Sequence, residues 1–348
     1  MDELIDQIVD SFRQYFEFPA ETFAHGFDER LREENISKAD IRCPDDIAAI
    51  SAIDGGSNTV IRMPTAAVVF NRVYCNKYVG MSRQDFSDSC EFVSITKLVN
   101  EGGRMLFKTE IVPREGSCPT SPITVDAEDL ALKAGSQGGD LNRALAMARH
   151  FAELRFIRRA FASKAEFVIM DGALYAAYPK EMEEVSAIYD EAKAAGTTVA
   201  GLSKSTTIFT EEGLPVAGYL DRLADRRGLR KWVARIGRSR EWAYRATVYY
   251  AKLHEGAEAA FRLDLFEDAG EEGLRRLLDA LQANSKYAYF PGYPLALIDA
   301  HQNAKVSEYE VKSIKDQILD RLDQSDARTF DIMEKAASPH GILDQMGA

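Results

Sequence analysis

The feature that most restricts how this chain can fold is a repeated local pattern. Two short hydrophobic runs each close in Asp-Gly: IDGG at 53–56 and MDGA at 170–173. The first run, Ile47–Ile53 (IAAISAI), is uncharged and compatible with a strand that stops at Asp54-Gly55-Gly56. The second, Phe167–Met170, stops at Asp171-Gly172. Open α/β sheets present ligands at the C-terminal ends of their strands. A glycine there lets the chain turn away sharply and leaves the carboxylate at the sheet edge. Two such strands side by side bring two carboxylates together, and a divalent cation offsets their repulsion. Asp-Gly is also a common turn after any strand. Its recurrence after two buried strands, with a helix between them, favours the ligand-presenting reading.

The rest of the chain supplies a setting for that pair. Strand-like segments at Ala66–Tyr74, Glu91–Leu98 and Met105–Val112 follow the first run without intervening helices, which predicts an antiparallel meander. Residues 113–124 are rich in Pro and Ser, and GSQGG at 135–139 is a break. Asp140 is placed to cap a long helix to about Ala162, with Leu141, Leu145, Ala148, Ala152 and Phe156 as its buried stripe. A helix over 180–195 and a strand over 197–202 complete an alternating half. A helix over 271–284, the segment FPGYP and a final helix opened by the capping box Ser307-x-x-Glu310 follow. Residues 1–45 read as a charged helical segment with Leu4, Ile8, Phe12 and Phe16 on one face. The expected fold is α/β, a mixed sheet flanked by helices. Residues 46–325 form one domain with a basic insertion at about 222–250, and 326–348 are a C-terminal tail.

Charge and length narrow the function classes. With 43 Lys+Arg against 55 Asp+Glu the formal charge is −12, which argues against broad adhesion to nucleic acid or anionic membrane. It leaves room for a local basic track and suits a site that gathers carboxylates around metal. The longest run without a charged residue, Tyr287–Ile298, is 12 residues and contains Pro291 and Pro294, too short to span a bilayer. The first residues are acidic where a signal peptide would be basic. Cys43, Cys75, Cys90 and Cys118 include no CxxC pair and suit reduced thiols. A cytoplasmic protein with no membrane association is expected.

Several side chains extend the acidic pair. Glu153 lies at the flank of the long helix's apolar stripe, within reach of the sheet edge. Its plainer reading is a solvated glutamate paired with Arg149 or Arg158. An Asp on the first strand, a Glu on the helix after the meander and a later strand-end Asp follow the order of acids in the ribonuclease-H-like fold. There such acids hold two Mg²⁺ or Mn²⁺ ions for in-line attack on a phosphodiester. Glu110 is a competing acid. Tyr293 and His301, two helical turns apart across Pro294, converge on one side and are suited to a metal shell or a phosphate. The stretch 226–245 (RRGLRKWVARIGRSREWAYR) has eight basic residues and one acidic, with Trp232, Trp242 and Tyr244 interleaved. Arg235, Arg238, Trp232 and Trp242 are therefore candidates for contact with single-stranded DNA, although a solvated helix or a protein-docking face fits as well. Lys204, just past a strand, is a candidate for neutralising phosphate.

Taken in order, IDGGS (53–57), VIMDGAL (168–174), GLSKS (201–205) and GYPLALIDAH (292–301) resemble the NurA nuclease family over roughly residues 45 to 310. The resemblance implies a ribonuclease-H-like core and a manganese-dependent 5′–3′ exonuclease and single-strand endonuclease. It further implies a homodimer and a hexameric HerA-type ATPase as partner in DNA end processing. By motif, Asp54 and Asp171 match the family's metal-binding aspartates, Glu153 the intervening glutamate, and Tyr293 with His301 its Tyr/His pair. Two alternatives remain at this level. Asp54-Gly-Gly-Ser-Asn-Thr also resembles the phosphate hairpin of actin-like and sugar-kinase ATPases, although a Walker loop is absent. A catalytically silent DNA-binding subunit would keep the fold without the chemistry.

Overall fold

A computed structural model of the chain describes residues 2–13, 18–41, 45–115, 118–133, 139–239 and 245–322, with six isolated positions between 326 and 335. Phe16, Cys43, Trp242, Tyr244 and most of the tail lie outside the described residues. The chain opens with helix α1 (Asp2–Phe12) and three short strands, β1 (Thr22–Phe23), β2 (Arg30–Leu31) and β3 (Ile36–Lys38). Four long strands come next: β4 (Ala49–Arg62), β5 (Ala66–Val79), β6 (Ser82–Glu101) and β7 (Arg104–Glu115), closed by β8 (Ile123–Asp126). An alternating part contains α2 (Leu141–Ala160), β9 (Phe167–Asp171), α3 (Glu181–Ala194), β10 (Thr198–Ser203) and α4 (Val216–Arg226). The chain then adds β11 (Trp232–Arg238), β12 (Ala246–Lys252) and β13 (Phe261–Phe266), followed by α5 (Gly270–Asn284), α6 (Leu295–Ala304) and α7 (Glu308–Leu319).

Eleven strands join in the order β3-β11-β12-β13-β10-β9-β4-β5-β6-β7-β8. At its centre β6-β5-β4-β9-β10 form the ribonuclease-H-like core. Strand β4 pairs parallel to β9 and β9 parallel to β10, while β5 runs antiparallel to both neighbours. The two faces follow the strand period of two. Ile50 and Ala52 of β4 and Phe167 and Ile169 of β9 pack under α5 and α6. Ile53, Val168 and Met170 pack on the opposite face under α2 and α3. The Asp140 cap forms, its carboxylate accepting from Asn142 N–H, and all five stripe residues of α2 are buried. The Ser307–Glu310 capping box also forms.

Three expectations are corrected. Among the described residues of 1–45 the only α-helix is α1; beyond it come the short strands β1–β3 and a 3-10 turn at Glu33–Asn35, with Phe27, Leu31 and Ile36 buried. Among its described residues the basic stretch is not a solvated helix: after Arg226, the last residue of α4, it forms β11, a strand of the large sheet. Trp232, Ala234 and Ile236 alternate inward at period two, a pattern masked in the sequence by the density of arginine. Finally, β4 does not stop at Asp54. It continues through Gly55 and Gly56 to Arg62, paired with β5 throughout (Gly55↔Val73, Gly56↔Arg72, Ser57↔Asn71).

The two glycines of IDGG therefore serve close approach, not a turn. A Cβ on Gly55 would stand 2.1 Å from Glu153 Oε1, and one on Gly56 would stand 2.1 Å from the carbonyl oxygen of Ala304. Strand alternation points these two positions to opposite faces, so α2 presses on one and the end of α6 on the other. The second Asp-Gly does turn: Gly172 has φ of 142°. Gly56→Ala should lower stability by about 1–3 kcal/mol, the usual penalty for overpacking. Gly218→Ala, on α4 with nothing within 4 Å of the added methyl, should be neutral or slightly stabilising. Calorimetric melting of the two variants checks this; equal melting temperatures would mean α6 does not rest on β4 as described.

Candidate metal centre

The last rung of the β4–β9 ladder pairs Ile53 with Met170. Both point toward α2, so the next residues, Asp54 and Asp171, fall side by side on the α6 face. Helix α6 brings the third member. His301 Nδ1 donates to Asp54 Oδ2 at 2.7 Å, while Asp54 Oδ1 accepts from Gly55 N–H at 2.7 Å. Asp171 is held from two directions. Tyr293 OH donates to Oδ1 at 3.1 Å, and Lys204 Nζ donates to Oδ2 at 2.6 Å while lying 5.0 Å above the Tyr293 ring centre. Ligand atoms of Asp54, Asp171 and His301 all lie within 4.8 Å of one another.

Each of these side chains has a local reason for its position. Pro294 starts α6, and the first turn is fixed by Asn284 Oδ1 accepting from Ala296 N–H and by Asn76 Nδ2 donating to Ala296 O, both at 2.8 Å. Tyr293 is buried against Phe261 and Phe290. The turn after Asp171 is tied down by Gly172 N–H donating to Leu202 O at 3.1 Å. It is tied again by Leu174 N–H donating at 3.0 Å to Asp264 Oδ2, a buried carboxylate paired with Arg262. Gly201 makes the closeness possible, since a Cβ there would meet Gly172 O at 2.4 Å. Asp264 has no motif around it in the sequence, and only its place inside a hydrophobic run, FRLDLF, hinted at a buried role.

The electrostatics fit a cation. Burial raises the Asp54 carboxyl above its ordinary range, and the Asp171 charge raises it further, against the lowering influence of His301 and Gly55 N–H. Burial and the neighbouring Asp171 likewise push the Tyr293 hydroxyl up, so it remains a donor. Two oxygen donors and one imidazole, with like charges only partly offset, make a donor set suited to a hard divalent ion of the Mg²⁺ or Mn²⁺ type. The residues present fit such an ion.

Glu153 is nearby but differently engaged. It approaches β4 from the α2 face, behind Gly55, and the residue is 6% exposed. Arg149 Nη1 donates both to Glu153 Oε1 and, at 3.0 Å, to Gly55 O. The Arg149 pairing that the sequence offered as the plain alternative is present, in a buried setting and not a solvated one. His150 Nδ1 stands 3.9 Å from Glu153 Oε2, and its other nitrogen pairs with buried Glu181, which accepts from Ala177 N–H and Tyr178 N–H at 2.6 and 2.9 Å. Burial lifts the Glu153 carboxyl to about 7, although Arg149 and His150 pull it down.

The remaining sequence candidates lie elsewhere. Glu110 is exposed on β7 and pairs with Lys97. Trp232 is 0% exposed and its Nε1 donates to Asp221 Oδ1 at 3.2 Å, so it presents no face to a base. Arg235 and Arg238 pair with Glu29 and Glu267. They line a groove of about 730 Å³ beside α5, and their own strand, β11, lies four strand spacings, or roughly 19 Å, from the strand of Asp171.

A family model described as NurA domain matches residues 48–306. No curated protein matches the chain. Among solved structures, the catalytic domain of human endonuclease V is similar at 9% identity and a TM-score of 0.37, covering 91% of this chain and 98% of that one. Aquifex aeolicus Argonaute is similar at 13% identity and 0.26, covering 74% of this chain and 28% of that one. Drosophila Piwi is similar at 9% and 0.28, covering 74% and 29%.

The Glu153 setting gives a pH dependence. Its folded pKa of about 7 exceeds the ordinary 4.5, so the folded state binds more protons than the unfolded state between those values. Stability is then lost as pH rises through that window. In metal-free buffer the wild type should lose on the order of 3 kcal/mol relative to Glu153→Gln between pH 5 and 8. Denaturant titrations at both pH values measure the difference; a constant gap would mean Glu153 ionises like an exposed carboxylate.

Proposed function

This chain belongs to the NurA family, and from that premise we propose that it is a divalent-metal-dependent DNA nuclease. In this reading it is a 5′–3′ exonuclease and single-strand endonuclease that processes DNA ends in the cytoplasm. The observation that carries the reading is the convergence of Asp54, Asp171 and His301 from three separate elements onto one face of the sheet. Asp54, Asp171 and His301 would hold Mn²⁺ or Mg²⁺, which when bound supplies Lewis acidity to the scissile phosphate and charge stabilisation in the transition state. Glu153 matches the family's third acid by motif, but its carboxylate lies on the α2 face behind Gly55, paired with Arg149, and stands apart from the Asp54–Asp171–His301 group.

The chain's own groups divide the remaining work. Tyr293 fixes the orientation of Asp171 through its hydroxyl. Lys204 offsets the charge of Asp171 and is placed to turn toward a phosphate oxygen once a metal takes over that duty. His301, whose side chain is 59% exposed, orients Asp54 and can accept or return a proton at the solvent side of the site.

The actin-like ATPase alternative loses its support. Gly55, Gly56 and Ser57 remain inside a paired strand, their residues matched to Val73, Arg72 and Asn71. They form no hairpin loop that would cradle a phosphate.

The −12 charge supports the partner reading. A surface that mostly repels phosphate binds free DNA poorly, and a ring that threads DNA to the site overcomes this through effective concentration. We assign the chain to a homodimer served by a HerA-type hexameric ATPase.

Asp54→Asn should leave melting temperature and oligomeric state near those of the wild type while cutting of labelled single-stranded DNA in Mn²⁺ falls by at least about a hundredfold, the scale of losing one electrostatic group in an active site. Parental cleavage rates from Asp54→Asn would remove the metal centre from the reaction. Tyr293→Phe, which loses only the hydroxyl, should lose less activity and should weaken Mn²⁺ binding in a calorimetric titration.

A further inference from the structure

We propose that the exposed aromatic loop 285–292 is a stacking platform for unpaired nucleobases of the strand whose phosphodiester lies at the metal centre. The inference rests on the nuclease reading above and adds to it a base-binding site. This loop joins α5 to α6 and delivers the chain to Tyr293. It is held in a fixed shape. Gly292 N–H donates to Ser285 O at 2.9 Å and Phe290 N–H donates to Tyr287 O at 3.1 Å. Gly292, at φ 91°, lies so close to the neighbouring segment that a Cβ would stand 2.5 Å from Ala257 Cβ.

On this rigid support the side chains are unusually exposed. Tyr289 is 89% exposed and Phe290 42% exposed, and the Tyr287 and Tyr289 ring centres are 5.6 Å apart. Folding alone gives no reason to display large aromatic rings on a closed loop. The loop is also continuous with the site. Phe290 stacks on Tyr293 with ring centres 5.3 Å apart and planes 26° apart, and the Tyr293 hydroxyl donates to Asp171. Aromatic rings therefore lead from the metal-binding carboxylate outward to solvent.

Cations accompany the rings. Lys204 Nζ lies over Tyr293, and Lys286 is exposed within the loop itself. Exposed rings with Lys286 beside them and Lys204 at the metal centre match the two parts of a single strand, the π-faces of its bases and the charge of its phosphates. Bases inside a duplex are stacked on each other and offer no free face, so the ligand is an unpaired segment. Trp232 and Arg235, the sequence's own candidates for this duty, are respectively buried and remote; loop 285–292 takes their place.

The test measures binding of a fluorescent single-stranded oligonucleotide by anisotropy, with Ca²⁺ replacing Mn²⁺ to suppress cutting. A second oligonucleotide has the same phosphates with a run of abasic positions. The full chain is compared with Tyr289→Ala, Tyr289→Phe and Tyr309→Ala, the last being a tyrosine equally bare but on α7. Tyr289→Ala should bind the intact strand roughly tenfold more weakly, while Tyr289→Phe and Tyr309→Ala bind as the wild type does. Wild type and Tyr289→Ala should bind the abasic strand equally. Equal binding of the intact strand by wild type and Tyr289→Ala, from a wild type that cuts DNA in Mn²⁺, overturns the platform and leaves the nuclease reading standing. An equal loss on both strands also overturns it, since phosphates and not bases would then be read. A wild type that neither binds nor cuts removes both.

Discussion

Two carboxylates on neighbouring parallel strands, in register and on one face, repel each other, and much of the surrounding structure is arranged around that repulsion. Asp54 and Asp171 are forced together by the ladder that pairs Ile53 with Met170. Burial of Asp54 deepens the cost, because the charged form loses water at the same point where it faces a like charge. Four donors answer it: Gly55 N–H and His301 on one carboxylate, Tyr293 and Lys204 on the other. They come from three parts of the chain: β4 itself, the segment just after β10, and the α6 segment that carries both Tyr293 and His301. The fold is thus spent on assembling a cluster that destabilises it, a pattern expected where a bound cation is to be the final partner.

The close packing around the pair depends on missing side chains. Gly55 admits Glu153 and Arg149 from one side, Gly56 admits the C-terminal end of α6 from the other, and Gly201 admits the turn after Asp171. Helix α7 is then fastened over this region through Arg72, which reaches Glu310, Glu91 and the carbonyl of Lys305. With those contacts Ser307 and Arg72 hold the Glu310 carboxyl down at about 2, against burial. The position of His301 is accordingly a consequence of packing at the end of its helix as much as of its own hydrogen bond.

Much of this could be read from residues alone, for stated reasons. The Asp-Gly repeats, the meander and the α2 stripe are local patterns of period 2 or 3.6, and Pro294 and Ser307 mark helix starts. What could not be read depends on contacts between distant segments. IDGG carries a turn-like signature, and only the matching partners on β5 show that it continues as strand. The 226–245 stretch alternates as a strand, but its arginines resemble a solvated face until Glu29 and Glu267 are seen opposite them. Glu153 sits four residues after Arg149, a spacing that permits a pair on any helix; its burial behind Gly55 is a tertiary fact. The run YAYFPGY at 287–293 holds four aromatics, and nothing local separates buried Tyr293 from bare Tyr289; that division is made by the fold.

The central claim is that Asp54, Asp171 and His301 form one site for a hard cation. Anomalous diffraction at the manganese edge from crystals of the full chain soaked in Mn²⁺ tests it most directly. The account predicts a peak between the two aspartates and beside the His301 ring, with Lys204 displaced from Asp171. Manganese bound only elsewhere, or no peak at saturating Mn²⁺ with the Lys204–Asp171 contact intact, would contradict it.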